Sequence, residues 1–142
     1  ILSIPLETGK PLEVAGYRVT GFPLHHTVPS TGWLVDDGKT AVYFAGDPDE
    51  EGCLAPVAAA AGGRLRAVFL AASFPDEDAA FAKRTGHLTP VGHGRAAKGG
   101  PAAAPVGVTH VKPGFADRIG AQVRAGGNPS IRIVRCGEAL EF

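Results

Sequence analysis

The sequence lacks methionine altogether and contains only two cysteines, Cys53 and Cys136. The two cysteines stand far apart and show neither a metal-binding nor a redox spacing. We therefore expect reduced, mostly buried thiols instead of a disulfide framework. Because translation starts with methionine and this chain starts at Ile1, we also expect that residues precede Ile1 or have been removed.

Long apolar runs and an excess of charge of either sign are missing as well. No run reaches the roughly 18 apolar residues that a membrane helix needs, and no secretory signal opens the chain, so we expect a cytoplasmic protein without a membrane segment. Fourteen Lys and Arg balance fourteen Asp and Glu. This balance argues against non-specific electrostatic binding to a long nucleic acid or an anionic membrane.

Glycine and proline, by contrast, are abundant, with 20 and 12 copies in 142 residues. They predict many short elements joined by tight turns, and the length predicts a single domain, or part of one, over residues 1–142. The first half reads as strands, with a hairpin around the turn Asp36-Asp37-Gly38-Lys39. The predicted strands are Tyr17–Phe22, Gly32–Val35 and Thr40–Ala45.

The second half alternates helices and strands, a pattern typical of an α/β layer. Thr89 is the expected N-cap of one helix, with Pro90 at its first position. Pro56 should shorten or kink an earlier one. The predicted helices cover residues 49–61, 75–84, 89–98 and 115–124, and the predicted strands cover residues 66–72, 106–111 and 131–135.

Three polar residues lie where predicted strands end, and a fourth lies between two elements. They are His26, Asp47, His110 and His87, respectively. Reacting groups of α/β proteins collect beyond strand ends, and imidazole and carboxylate groups bind zinc and similar ions. Spacing alone leaves the alternative open that each histidine is an ordinary hydrogen-bonded residue and that Gly46-Asp47 is a turn.

Five motifs, taken together and in order, resemble the C-terminal half of metallo-β-lactamase-fold hydrolases. The sequence is most similar to class II 3′,5′-cyclic-nucleotide phosphodiesterases and, more distantly, to tRNA 3′-processing endonucleases. The motifs are His-x-Val-Pro-Ser-x-Gly-Trp from His26, Tyr-Phe-Ala-Gly-Asp to Asp47, Ser-Phe-Pro from Ser73, Gly-His-Leu-Thr-Pro from Gly86 and Thr-His-Val-Lys-Pro from Thr109.

This resemblance implies a fold and a metal site. The fold would be half of an αββα sandwich, with a mixed sheet and helices on its outer face. His26, Asp47 and His110 would bind divalent metal, Asp47 bridging two ions. Two zinc ions are expected, with manganese or iron as alternatives, and the remaining ligands would come from an N-terminal half that this sequence lacks.

The resemblance also implies the chemistry. The expected substrate is a cyclic nucleotide such as cAMP, hydrolysed at its phosphodiester. Asp47 and His87 would be the catalytic residues, and His87 suits proton transfer because its ordinary pKa lies near neutrality. Lys112 and Thr89 would bind the substrate, Lys112 as a point charge for phosphate.

Three departures from the family pattern favour alternatives. The first metal motif, His-x-His-x-Asp-His, is absent; Ala71 replaces a glutamate expected to orient His87; and Pro48 replaces a threonine after Asp47. The chain alone should therefore bind metal weakly and hydrolyse poorly. The alternatives are a degenerate, non-catalytic domain used for dimerisation or partner binding, and an RNA 3′-end-processing hydrolase.

A half-sandwich would also leave an apolar sheet face uncovered. We expect an N-terminal half or a second copy, as in a homodimer, to cover that face. Among the other side chains, Trp33 and Phe74 are expected in the core and His93 at the surface. His25 should point away from the side of His26.

Overall fold

Seven strands form one mixed sheet whose spatial order follows the sequence, β1-β2-β3-β4-β5-β6-β7. The computed structural model describes residues 7–48, 52–98 and 105–142. Its strands and helices are β1 (Pro11–Val14), β2 (Tyr17–Leu24), β3 (Ser30–Asp36), β4 (Ala41–Gly46), α1 (Ala55–Ala61), β5 (Leu65–Ala71), α2 (Ala79–Arg84), α3 (Pro90–Ala97), β6 (Val106–Thr109), α4 (Ala116–Ala125) and β7 (Ile131–Ile133).

Strands β1 to β4 form an antiparallel meander, and β4 to β7 run parallel. The change follows from the connections, since short turns join antiparallel strands whereas parallel neighbours need a longer crossover that usually contains a helix. The predicted hairpin at Asp36-Asp37-Gly38-Lys39 is confirmed: Gly38 takes a positive φ of 90°, and Asp37 N–H donates to the Thr40 carbonyl. The predicted α/β class is correct.

Strand β1 was missed by the sequence analysis. It pairs with β2 across a two-residue turn at Ala15 and Gly16, both with positive φ, 51° and 85°. Such turns usually carry Asn-Gly or Asp-Gly. Because alanine rarely adopts positive φ, Ala15-Gly16 gave no recognisable hairpin signal.

Helix α3 begins as predicted. The hydroxyl of its N-cap, Thr89, accepts a hydrogen bond of 3.4 Å from Gly92 N–H, with Pro90 in the first turn. The prediction that Pro56 shortens or kinks the earlier helix is confirmed in its first form, because α1 starts only at Ala55 and Pro56 lies in its first turn. Residues 49–51 of that predicted helix, and the glycines predicted to end α3, lie outside the described residues.

Three predicted boundaries also need correction. The segment predicted as a helix over residues 75–84 opens with a 3₁₀ turn at Asp76–Asp78 before α2. Strand β6 ends at Thr109 because His110 has a φ of 53°, which is incompatible with continuing the strand. Strand β7 is three residues long and stops at Ile133.

The helices cover one face of the sheet. Tyr43 and Leu34 from that face are buried in one core cluster with Val57 of α1. Ile119 of α4 packs with Val108 in a second cluster. Within the described residues, no helix is long and apolar enough to cross a bilayer.

The opposite face of the antiparallel strands is open. Trp33 and Phe44, paired across β3 and β4, are 39% and 45% exposed. The Phe44 ring stacks on Phe69 of β5 with centroids 4.9 Å apart. The expectation of a core tryptophan was therefore wrong, because Trp33 lies on the sheet face that no helix covers.

Candidate metal centre

The carboxyl ends of four strands meet at one edge of the sheet. Strands β2 and β4 both run antiparallel to β3, and β4, β5 and β6 are parallel. Residues that follow these strands therefore gather along this edge. His26 follows β2, Asp47 follows β4 and His110 follows β6.

Asp47 and His110 are in direct contact. The His110 Nδ1 atom lies 2.5 Å from Asp47 Oδ1. Because an ionised carboxylate only accepts hydrogen bonds, Nδ1–H is the donor, and His110 Nε2 is left to accept from the Lys112 ammonium at 3.1 Å. His110 reaches this position through its left-handed backbone, with φ 53°, a conformation that non-glycine residues rarely adopt.

His87 lies on the other side of Asp47. Its Nδ1 is 3.5 Å from Asp47 Oδ1, and this buried nitrogen has no hydrogen-bond partner among the described residues. Burial lowers the pKa of His87, although the Asp47 carboxylate opposes part of that change. The imidazole is therefore neutral near pH 7 and keeps a nitrogen lone pair.

The three side chains form a compact donor cluster. Asp47, His87 and His110 each offer one ligand atom, and these atoms all lie within 4.8 Å of one another. One carboxylate with two imidazoles is a donor set that zinc binds in proteins. The unpartnered His87 nitrogen is what a missing cation would leave, so these residues fit a divalent metal ion.

His26 lies beside this donor cluster but outside the group of three. Its Nδ1–H donates to the Gly86 carbonyl at 2.7 Å, and its ring centroid is 5.3 Å from that of His87. The bond to a carbonyl leaves Nε2 with the lone pair of the neutral ring, the usual arrangement of a metal-binding histidine. Gly86 permits the approach, since a Cβ there would lie 2.5 Å from His26 Nδ1.

The predicted metal ligands and the observed donor cluster therefore share Asp47 and His110. His87, predicted to be catalytic only, supplies the third clustered donor in place of His26. The sequence could not show this, because His87 lies in a loop whose course is set by tertiary packing. The roles assigned to these four residues stay predictions.

The two predicted substrate-binding residues lie in different surroundings. Lys112 places its ammonium at the site, against His110. Thr89 is 7% exposed and uses its hydroxyl to cap α3. A direct contact between Thr89 and a substrate stays a prediction.

Ala71 is fully buried at the end of β5. The expectation that a glutamate at this position would orient His87 stays a prediction.

Two further expectations were wrong. His93 is completely buried in α3, because it lies with Ala96 on the buried side of that helix. Cys136 is exposed and Cys53 is half-buried, although neither forms a disulfide, as predicted. His25, on β2's C-terminal side, is exposed.

Known structures with the same fold were found by comparison. The metallo-β-lactamase fold protein YhfI from Bacillus subtilis superposes with a TM-score of 0.76 at 19% identity, covering 95% of this chain and 54% of its own. Zn²⁺-bound PqqB from Methylobacterium extorquens gives 0.67 at 15% identity, covering 96% and 55%. The short form of human tRNase Z gives 0.58 at 23% identity, covering 72% and 38%.

No protein-family model matches the sequence, and no curated protein does. The structural matches nevertheless define the class: this chain has the metallo-β-lactamase fold. It spans about half the length of the solved structures it matches. The predicted fold class is confirmed, and the donor cluster lies at the carboxyl edge of its sheet.

Proposed function

We propose that this protein is a metal-dependent hydrolase that cleaves phosphodiesters, with zinc as the preferred ion. The observation that carries the proposal is the donor cluster of Asp47, His87 and His110, whose ligand atoms lie within 4.8 Å of one another. The Lys112 ammonium beside His110 adds a positive charge where a phosphate would bind. Two zinc ions, the second held by ligands outside these residues, remain part of the proposal.

Asp47 and His110 would hold the metal, with His87 or His26 as the third donor. A bound divalent cation would supply Lewis-acid polarisation of a phosphoryl oxygen. To bind the ion beside Asp47, His110 would give up the Nδ1 proton that it otherwise donates to Asp47 Oδ1. Lys112 would turn from His110 Nε2 to a phosphate oxygen as a point charge.

His87 has two roles open to it, and each makes a different prediction. As a ligand, His87 would coordinate the metal through its unpartnered Nδ1, and the His87→Ala variant would then bind less metal. As a proton donor to the leaving oxygen it would keep metal and lose about 10²- to 10⁴-fold in turnover. Metal content and turnover of the His87→Ala and His26→Ala variants separate the two.

The proposed substrate is a 3′,5′-cyclic nucleotide. This choice rests on the motif resemblance and on a net charge of zero, since a long RNA needs many Lys and Arg to neutralise its phosphates. The similarity to human tRNase Z makes RNA 3′-end processing the rival substrate class.

The test is hydrolysis of cAMP and of a 3′-extended tRNA by the protein as the cell makes it, after zinc is restored. We expect cAMP turnover that Asp47→Asn removes and that Asp117→Asn, an exposed acid on α4, preserves. Cleavage of the tRNA without hydrolysis of cAMP would show that the substrate is RNA and would overturn the cyclic-nucleotide assignment. Full zinc loading without hydrolysis of either would overturn the enzymatic proposal.

The open sheet face favours a second, binding function. Trp33, Phe44 and Val14 are each at least 39% exposed there or on the adjoining strand β1. Because the matched structures are nearly twice as long as this chain, we propose that further polypeptide of the same fold covers this face. A Phe44→Asp variant should bind less of a hydrophobic dye than the unaltered chain does. If light scattering shows a dimer that forms as concentration rises, a second copy covers the face instead.

A further inference from the structure

Three phenylalanines form an aromatic shelf next to the donor cluster. They are Phe74, which follows β5, Phe81 on α2 and Phe115 ahead of α4. Phe74 and Phe115 are half-buried, whereas Phe81 is 44% exposed. Single exposed apolar residues are common in proteins. The exposure of Phe81 therefore indicates a binding surface only together with the residues around it.

Those neighbours join the shelf to the donor cluster by ring contacts. The Phe74 ring lies 5.5 Å from His87 and 5.1 Å from Phe81, between ring centroids. Phe115 closes the group at 6.0 Å from Phe74. Phe81 is therefore linked to His87 through a single ring, Phe74, so the shelf lies beside the donor cluster, where the base of a nucleotide bound there by its phosphate could extend.

The charges around the shelf also suit a nucleotide. The Arg84 guanidinium lies over the Phe81 ring, 5.5 Å from its centroid, and both residues belong to α2. Guanidinium and phenyl planes both stack on nucleobases. At the opposite end, Lys112 and the donor cluster offer positive charge and metal donors to a phosphate.

We propose that the aromatic shelf, through Phe81, binds the base of a nucleotide whose phosphate lies at the donor cluster. The proposal rests on the proposed function, since it places the phosphate of the substrate at the metal centre. It goes further in naming the element that selects a substrate with a planar base. Stacking on one aromatic face tolerates any base, so the shelf distinguishes nucleotides from other phosphate esters more than adenine from guanine.

The test is binding of 2-aminopurine riboside 5′-monophosphate to the zinc-loaded protein, because stacking quenches the fluorescence of this base. We expect quenching, with a Kd that Phe81→Ala raises by roughly 5- to 150-fold. Phe81→Leu, which keeps apolar bulk and protects folding, should raise it similarly, and Phe81→Tyr should leave it within about twofold. Phe142→Ala is the matched control, an exposed phenylalanine that packs on Phe69 away from the shelf.

Ribose 5-phosphate, which lacks a base, separates stacking from phosphate binding. Its affinity, measured by competition, should be the same in Phe81→Ala and the unaltered protein. An unchanged Kd for the fluorescent nucleotide in Phe81→Leu, an equal loss for ribose 5-phosphate, or no quenching at all would overturn the proposal. Quenching by a protein that hydrolyses no phosphodiester would refute the proposed reaction and leave the nucleotide site standing.

Discussion

Asp47 and His110 are 63 positions apart in the sequence, yet His110 Nδ1 lies 2.5 Å from Asp47 Oδ1. The parallel arrangement of β4, β5 and β6 causes this contact, because it brings the ends of β4 and β6 to the same edge of the sheet. The contact fixes which nitrogen of His110 carries the proton. It also places a carboxylate between two imidazoles, since His87 lies 3.5 Å from the same oxygen.

The buried histidine of α3 predicts a loss of stability in acid. Burial lowers the pKa of His93 from 6.5 to about 4, although an interaction with the Gly107 backbone opposes part of that change. The folded state therefore favours the neutral ring. Above pH 6.5 the titration of His93 does not lower the unfolding free energy, whereas between pH 6.5 and pH 4 protonation of the ring lowers it progressively. We expect a loss of about 3 kcal/mol in unfolding free energy below pH 4.

Urea unfolding between pH 3 and pH 7 checks this expectation. The His93→Leu variant should show a weaker pH dependence by about that amount, whereas Lys83→Gln, at an exposed position, should behave as the unaltered protein does. Identical pH profiles for His93→Leu and the unaltered protein would show that His93 titrates normally.

A second prediction concerns the ion pair that joins β3 to the segment before β5. Asp36 is 5% exposed and accepts from Arg64 Nη2 at 2.9 Å and from Arg18 Nη2 at 3.1 Å. The hydrogen bonds from Arg64 lower the pKa of Asp36 below its ordinary value. The stabilisation is therefore complete above pH 4 and disappears as the pH falls through the lowered pKa.

Asp36→Asn should cost about 2–3 kcal/mol at pH 7, because two guanidinium groups lose their charged acceptor. Asp117→Asn, on the exposed first turn of α4, should cost less than about 1 kcal/mol. Chemical denaturation at pH 7 measures both losses. Equal losses in the two variants would mean that the Asp36 pair contributes no more than a surface charge.

Much of the fold was predictable because it is local. Alternating apolar residues and the turn at Gly38 define the first hairpin, and Thr89-Pro90 marks the start of α3. The route of the loop carrying His87 was not predictable, since it depends on the Gly86 carbonyl meeting His26. The burial of His93 also depends on packing between distant elements, which no local pattern encodes.

Gly32 gives a third prediction, through its contact with Tyr43. A Cβ at Gly32 would lie 2.1 Å from the Tyr43 hydroxyl oxygen and 2.6 Å from Cζ. Gly32→Ala should therefore destabilise the protein by about 2 kcal/mol or more. The buried Tyr43 hydroxyl has no hydrogen-bond partner among the described residues, so Tyr43→Phe alone should be close to neutral.

A double-mutant cycle of thermal or urea unfolding tests the contact. Because Tyr43→Phe removes the hydroxyl and leaves Cζ, the double variant should recover only part of the loss caused by Gly32→Ala. Strict additivity of the two changes would show that the clash lies elsewhere.

The central claim is that Asp47 and His110, with His87 or His26 as the third donor, form a metal centre, and zinc titration by calorimetry in a non-chelating buffer tests it most directly. Removing a residue outside the coordination sphere costs about 10- to 100-fold in affinity. The account predicts saturable zinc binding that Asp47→Asn and His110→Ala each weaken by more than that range, with Asp117→Asn unchanged. Zinc binding of equal affinity in all four proteins, or none in the unaltered one, would contradict it.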